Sequence, residues 1–200
     1  MMITDQYKKY LQTLNNNKKF PQQNFWYDDI KKFISDEPLP SSLIDYGCSR
    51  GALIEKIKTD FPSIQVVDGY DPGVAKFEQK PVGQYDMLVS TDVIEHIEPE
   101  FLDTTLSYIE SLYKKTAWII IACYPAKKFL PDGRNAHLIV ESSDWWLNKI
   151  KLTMPNSIIE SKQVIILNPD RDIRSKVHGG VSIPIGKAVE LRLVLRKSNG

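Results

Sequence analysis

Leu43-Ile44-Asp45-Tyr46-Gly47-Cys48-Ser49-Arg50-Gly51 is the stretch that decides the fold. A short apolar run ends on an acidic residue, small residues follow at 47, 49 and 51, and an amphipathic stretch, 52–61, comes directly after. That order predicts a strand, a tight turn and a helix carrying Leu53, Ile54 and Ile57 on one side. Small residues let a ligand approach the backbone at the helix N-terminus, so the turn points to a nucleotide-like ligand.

Outward from this unit, strands and helices alternate. Residues 1–20 are polar and read as a surface arm or a short helix followed by a loop. Asn24 can cap a helix over 25–35, with Phe25, Ile30, Phe33 and Ile34 near one face, which Pro38 and Pro40 end. Pro62 stops the helix over 52–60, and a second strand, 64–70, leads into Asp71-Pro72-Gly73. A strand over 85–90 is followed by a helix over 100–113, with Phe101, Leu102, Leu106, Ile109 and Leu112 at helical spacing. The continuous β-branched run 116–123 predicts a buried parallel strand. Ser143 can cap a helix carrying Trp145, Trp146 and Ile150, with the two tryptophans as core and rim, and 157–167 and 188–196 are later strands. The pattern predicts an α/β domain of three layers with a mostly parallel sheet, whose last two strands pair antiparallel at an edge. A single domain, 1–200, is expected: an N-terminal helical segment 1–40, a ligand-binding half 41–125 and a substrate-side half 126–200.

The 200 residues are 42% hydrophobic and 26% charged with net charge +1, so no general basic field exists to hold nucleic acid. Lys114-Lys115 and Lys127-Lys128 read as solvated lysines. Cys48 and Cys123 do not make a disulfide framework and read as small reduced core residues of a cytoplasmic protein. Residues 1–10 lack an apolar signal core, and the longest apolar run, 117–123, is too short to span a bilayer. His178 with Gly179-Gly180 marks a loop without an assigned role.

Two ligand classes share a Gly-rich turn after the first strand. The dinucleotide spacing G-x-G-x-x-G does not fit small residues at 47, 49 and 51 with the acid ahead of the first glycine. Asp45-x-Gly47-x-Ser49-x-Gly51 resembles the first motif of class I S-adenosylmethionine (SAM) methyltransferases, with Ser49 where that family usually has Gly. Val67-Asp68-Gly69-Tyr70-Asp71 places a carboxylate after strand two, and Tyr85-Asp86-Met87-Leu88-Val89-Ser90-Thr91-Asp92-Val93-Ile94-Glu95-His96-Ile97 resembles that family's fourth-strand segment. The resemblance implies a Rossmann-like methyltransferase fold with SAM as cofactor. It places cofactor contacts at Asp45, Gly47, Cys48, Ser49, Gly51, Asp71, Pro72, Thr91 and Asp92. Only fifteen positions separate Asp71 from Asp86, too few for a helix and a further strand, so the family's third strand is expected to be missing or vestigial and strand two to be an edge. Pro72, Val74 or Phe77 is left to line the adenine site.

Asp92, Glu95 and His96 stand at relative positions 0, +3 and +4, which one helical turn would put on one side. His137, in the loop after 116–123, falls at the same carboxyl-terminal side of the sheet. Two carboxylates and two imidazoles form a candidate divalent-cation site, and His96 and His137 are candidate catalytic bases. The segment is similar to the E-x-x-E-H of small-RNA 2′-O-methyltransferases. The leading expectation is methyl transfer to an O or N acceptor, on a small molecule or a sugar hydroxyl. The alternatives are a 2′-O-methyltransferase-like enzyme using a metal, a SAM-binding module without transfer, and a nicotinamide-dependent oxidoreductase.

Overall fold

The computed structural model describes residues 3–16, 26–167, 173–176 and 182–198. Asn24, Phe25 and His178 with its two glycines lie outside the described residues. So does much of 168–184, within the expected substrate-side half. The chain runs through α1 (Asp5–Asn16), α2 (Tyr27–Asp36), β1 (Ser42–Tyr46), α3 (Ala52–Asp60), β2 (Val66–Tyr70), β3 (Tyr85–Thr91), α4 (Leu102–Leu112) and β4 (Tyr113–Ala122). It continues with α5 (Ser143–Thr153), β5 (Ser157–Leu167), the hairpin strands β6 (Ile173–Lys176) and β7 (Ser182–Gly186), and β8 (Ala188–Lys197).

One sheet holds six strands in the order β2-β1-β3-β4-β8-β5. The pairs among β2, β1, β3 and β4 are parallel, and β8 lies antiparallel to both β4 and β5. No strand lies outside β2 among the described residues, so β2 is an edge, as the short 71–86 spacing requires. Successive strand residues face opposite sides. Ile44, Tyr46, Leu88, Ile119, Ile121 and Leu193 pack under α4 and α5. Leu43, Val67, Met87, Val89, Trp118 and Ile120 pack under α2 and α3, where Ile30, Ile34, Leu53, Ile54 and Ile57 meet them. These are the three layers the alternation predicts.

The boundaries differ where a local signal competes with packing. Tyr113, expected to end α4, begins β4 and is fully buried against the core. The cap of α5 is Ser142, whose side chain accepts the Trp145 N–H, while Ser143 is its first helical residue. Trp146 is core and Trp145 its partly buried rim, with rings edge to face at 5.0 Å. Both cysteines are free, Cys48 buried and Cys123 half-buried. No helix among the described residues is long and apolar enough to cross a membrane.

Asp86 ties the amino ends of three strands together. Its Oδ2 accepts both the N–H and the hydroxyl of Ser41 at 2.8 Å, ahead of β1. Lys114 and Lys115 of β4 reach its two oxygens at 3.1 Å. Two of the four lysines read as solvated are therefore engaged in an ion pair. Burial pushes the Asp86 carboxyl up, but the Ser41 and lysine hydrogen bonds outweigh it and hold the group well below the usual carboxylate range. A carboxyl depressed in the folded state stabilises the fold above its unfolded value and loses that contribution as pH falls toward its folded value. Asp86→Ala is expected to cost about 3 kcal/mol at pH 7 in urea unfolding. The gap to the wild type should narrow as pH drops below about 4.

Candidate functional site

The strand order reverses between β1 and β3, since β2 lies on one side of β1 and β3 on the other. A parallel sheet opens a crevice at the carboxyl ends of its strands at such a reversal. The turn after β1 and the residue after β3 both enter it. Gly47 (φ 87°), Ser49 (φ 47°) and Gly51 (φ 85°) take left-handed conformations, so the turn climbs by alternate αL residues into α3. At Gly47 a Cβ would lie 2.2 Å from Val93 Cγ2, and at Gly51 it would lie 2.7 Å from the Phe77 ring. Gly47 and Cys48 donate their N–H groups to Tyr70 O at 2.8 and 3.2 Å, fastening the turn to the end of β2.

Asp71 closes the other side. Its Oδ2 accepts the Ser49 N–H at 2.9 Å and its Oδ1 the Gly73 N–H at 2.8 Å. Burial raises its pKa and these two N–H groups lower it, with burial the larger effect. Asp45, near the end of β1, is buried, and no lysine or arginine forms an ion pair with it among the described residues. Burial first, and the Asp71 charge second, push its pKa up to about 7. Asp92 follows β3 at φ 58°, with its N–H donated to Ile120 O.

A cavity of about 180 Å³ lies among these groups. Gly47, Ser49, Asp71, Pro72 and Asp92 line it with Val93 and His96, whereas Asp45, Cys48, Gly51 and Thr91 do not. Of the residues left for adenine, Pro72 lines the cavity. Phe77 instead lines a separate groove along the open edge of β2, and Val74 lines neither.

The cavity has a wall that the sequence reading missed. α1 supplies Tyr7, Leu11, Leu14 and Asn15. Asn15 Oδ1 accepts the Ser49 hydroxyl at 2.8 Å, so the serine that replaces the family's usual glycine bonds to this helix. Thr4 donates its N–H and hydroxyl to the buried Glu98 at 2.8 Å each. Among the described residues, the apolar side of α1 packs against loop residues, with Tyr7, Leu130 and Ala136 as a small separate core. The signal was present: Tyr7, Tyr10, Leu11 and Leu14 stand at i, i+3, i+4 and i+7.

Glu95, His96 and His137 converge, one ligating atom from each lying within 4.8 Å of the others. Asp92 takes a different place from the one expected. It precedes the 3-10 turn Ile94–His96 in a left-handed conformation instead of opening a helix, and it stands beside Glu95 without joining the converging three. Glu95 is completely buried, and its Oε1 accepts the Ala122 N–H at the end of β4 at 3.0 Å. Burial above all, and then Asp92, raise its pKa well above the ordinary value. His96 Nδ1 lies 2.7 Å from Ala136 O, and His137 Nδ1 contacts Tyr124 O. A ring nitrogen against a carbonyl must carry the proton, so each Nε2 keeps its lone pair. Burial, and then His137, lower the His96 pKa to about 4, and burial lowers that of His137.

Gly47→Ala should destabilise the protein by at least about 2 kcal/mol, from the forced αL alanine and the Val93 clash together. In urea unfolding, Gly47→Ala with Val93→Ala should cost less than the sum of the two single changes, because the second makes room for the first.

A family model described as a methyltransferase domain matches residues 19–159, more than half of the chain. A search of curated proteins by sequence finds no match. Among solved structures, the chain is similar to a Burkholderia thailandensis 1,6-didemethyltoxoflavin-N1-methyltransferase with bound 1,6-didemethyltoxoflavin and S-adenosylhomocysteine, at 12% identity over 100% of this chain and 92% of that one, TM-score 0.60. It is similar to the N-methyltransferase NodS of Bradyrhizobium japonicum in complex with S-adenosylhomocysteine, at 11% identity over 96% and 100%, TM-score 0.57. It is also similar to a Haemonchus contortus phosphoethanolamine N-methyltransferase 2, at 11% identity over 98% of this chain and 59% of that one, TM-score 0.58. These likenesses share the fold described above, and the family match covers the turn after β1, Asp71 and the whole β3 segment. The chain belongs to this methyltransferase-domain family, the class I S-adenosylmethionine-dependent methyltransferases.

Proposed function

We propose that this methyltransferase acts on a small molecule, with a hydroxyl oxygen as the acceptor. An acceptor lone pair attacks the sulfonium methyl, the C–S bond breaks with its electrons on sulfur, and the acceptor proton passes to a base. The observation that carries the reading is the His96–His137 pair, two neutral imidazoles in edge-to-face contact, of which His96 lines the cavity. Burial keeps both imidazoles neutral, so each can take the proton that a hydroxyl loses as the new O–C bond forms.

A second cavity of about 310 Å³, lined by Tyr7, Tyr10, Leu130 and Arg134 among others, shares Tyr7 with the first. Its size suits a small acceptor. The ion pair that engages Lys114 and Lys115, together with the net charge of +1, gives no support to a nucleic-acid acceptor. The N-methyltransferases among the similar structures favour a nitrogen acceptor as the second reading. The two free cysteines fit a reducing, cytoplasmic setting.

For the cofactor we infer that Asp71, which lines the cavity, receives the ribose hydroxyls, and that Asp45, buried at the end of β1 outside the cavity lining, favours the ammonium group through its charge and not by contact. The test is calorimetric titration with S-adenosylhomocysteine between pH 6 and 8.5. Affinity should fall as pH drops below about 7, approaching tenfold per unit, because binding needs the ionised Asp45. Asp45→Asn should flatten that profile, and Asp71→Asn should weaken binding about 10- to 100-fold. Transfer of labelled methyl to hydroxyl acceptors, against matched amines, then separates the two acceptor readings.

A further inference from the structure

Glu95 Oε2 is fully buried and has no hydrogen-bond partner among the described residues. Its neighbour Asp92 is a second carboxylate, and among the described residues no lysine or arginine pairs with either. The two histidines beside it have each spent their Nδ1–H on a backbone carbonyl. The cluster therefore presents acceptor lone pairs and no donor, in a place where an unsatisfied polar group is costly. A proton shared by Asp92 and Glu95 would relieve the carboxylates alone. A cation would satisfy the imidazoles as well.

We infer that Glu95, His96 and His137 hold a divalent first-row transition-metal ion at the wall of the cofactor cavity, with Asp92 beside it. Two imidazoles and a carboxylate suit zinc, manganese, iron or cobalt better than magnesium or calcium, which prefer oxygen ligands alone. The geometry is close to what such an ion needs. Ligand distances of about 2.1 Å put neighbouring ligand atoms about 3.4 to 4.2 Å apart. Separations of up to 4.8 Å would then have to shorten by about 0.6 to 1.4 Å, a closure that small side-chain rotations supply.

The surroundings are those of a ligating pair. A carbonyl on Nδ1 fixes the tautomer and aims Nε2, which is how metal-bound histidines are commonly held. Both carbonyls, Tyr124 O and Ala136 O, belong to the loop after β4, and Glu95 O accepts the Ile139 N–H at 3.0 Å. The loop that brings His137 is thus tied to the turn that brings Glu95 and His96. Asp92 and His96 also line the cofactor cavity, so an ion held here would lie beside it. With their Nε2 lone pairs on the ion the two imidazoles would no longer take the acceptor proton; a hydroxyl bound there would instead be oriented and made acidic enough to lose its proton to solvent. What the ion does rests on the proposed transfer to a hydroxyl, but whether it binds does not.

The chain has three histidines, His96, His137 and His178, which makes the wild-type protein its own control. Tag-free protein, stripped with chelator, is titrated with Zn(II) while the imidazole resonances are followed by long-range ¹H–¹⁵N NMR. Two of the three histidines should shift together and saturate at one equivalent. With Co(II), one equivalent should give visible d–d bands. Glu95→Gln and His137→Asn should each weaken uptake at least about tenfold, while Cys123→Ser leaves it unchanged.

Failure of the wild type to shift two histidines overturns the proposal, as does uptake that Glu95→Gln and His137→Asn leave intact or that Cys123→Ser abolishes. S-adenosylhomocysteine is titrated into the same samples. Binding of the nucleoside without metal uptake sinks the metal site alone, and uptake without nucleoside binding sinks the cofactor reading alone.

Discussion

Val93 lies against the Cα of Gly47, and nothing larger than hydrogen fits between them. This contact holds the turn after β1 to the turn after β3, the two segments where the strand order reverses. Glycine is required for two reasons that coincide, the positive φ and the missing space. The cofactor site depends on that closeness. With the two turns in contact, Ser49 N reaches Asp71, Asp92 reaches the same cavity, and the following 3-10 turn carries Glu95 and His96 toward the loop after β4.

The charges of the site share one sign. Asp45, Asp71, Asp92 and Glu95 gather at the carboxyl ends of β1, β2 and β3, and no ion pair among the described residues joins them to a lysine or arginine. Burying unpaired carboxyls is costly, and the raised pKa values of Asp45, Asp71 and Glu95 record that cost. Such a site suits a cationic ligand. SAM brings a sulfonium and an ammonium, and a divalent ion would add two further charges on the Glu95 side. At the opposite end of the sheet the same residue type has the reverse setting, since Asp86 is surrounded by donors and lysines and serves the fold.

Much of the fold was legible because its signals are local. The helix 52–60 and the strand 157–167 have the bounds read from the sequence, and the short spacing from Asp71 to Asp86 foretold the edge at β2. Where a long-range contact decides, the sequence said less. Tyr113 continues a helical spacing, yet its ring is buried with the core and the chain is already a strand there. Asp92 fits a helical spacing with Glu95 and His96, yet Val93 must reach Gly47, and the backbone turns left-handed at Asp92 to bring it there. α1 was read as polar because its apolar stripe covers loops and a cavity instead of a sheet. The convergence of His137 with His96, forty-one positions away, was a guess from strand ends that the loop after β4 makes physical.

The most direct test of the account is a crystal structure with S-adenosylhomocysteine bound. The account predicts the ribose on Asp71, α1 over the nucleoside, and the sulfur directed toward His96 and His137. A nucleoside seated instead in the groove along β2, among Lys58, Lys76 and Lys80, with its sulfur turned from the histidines, would contradict it.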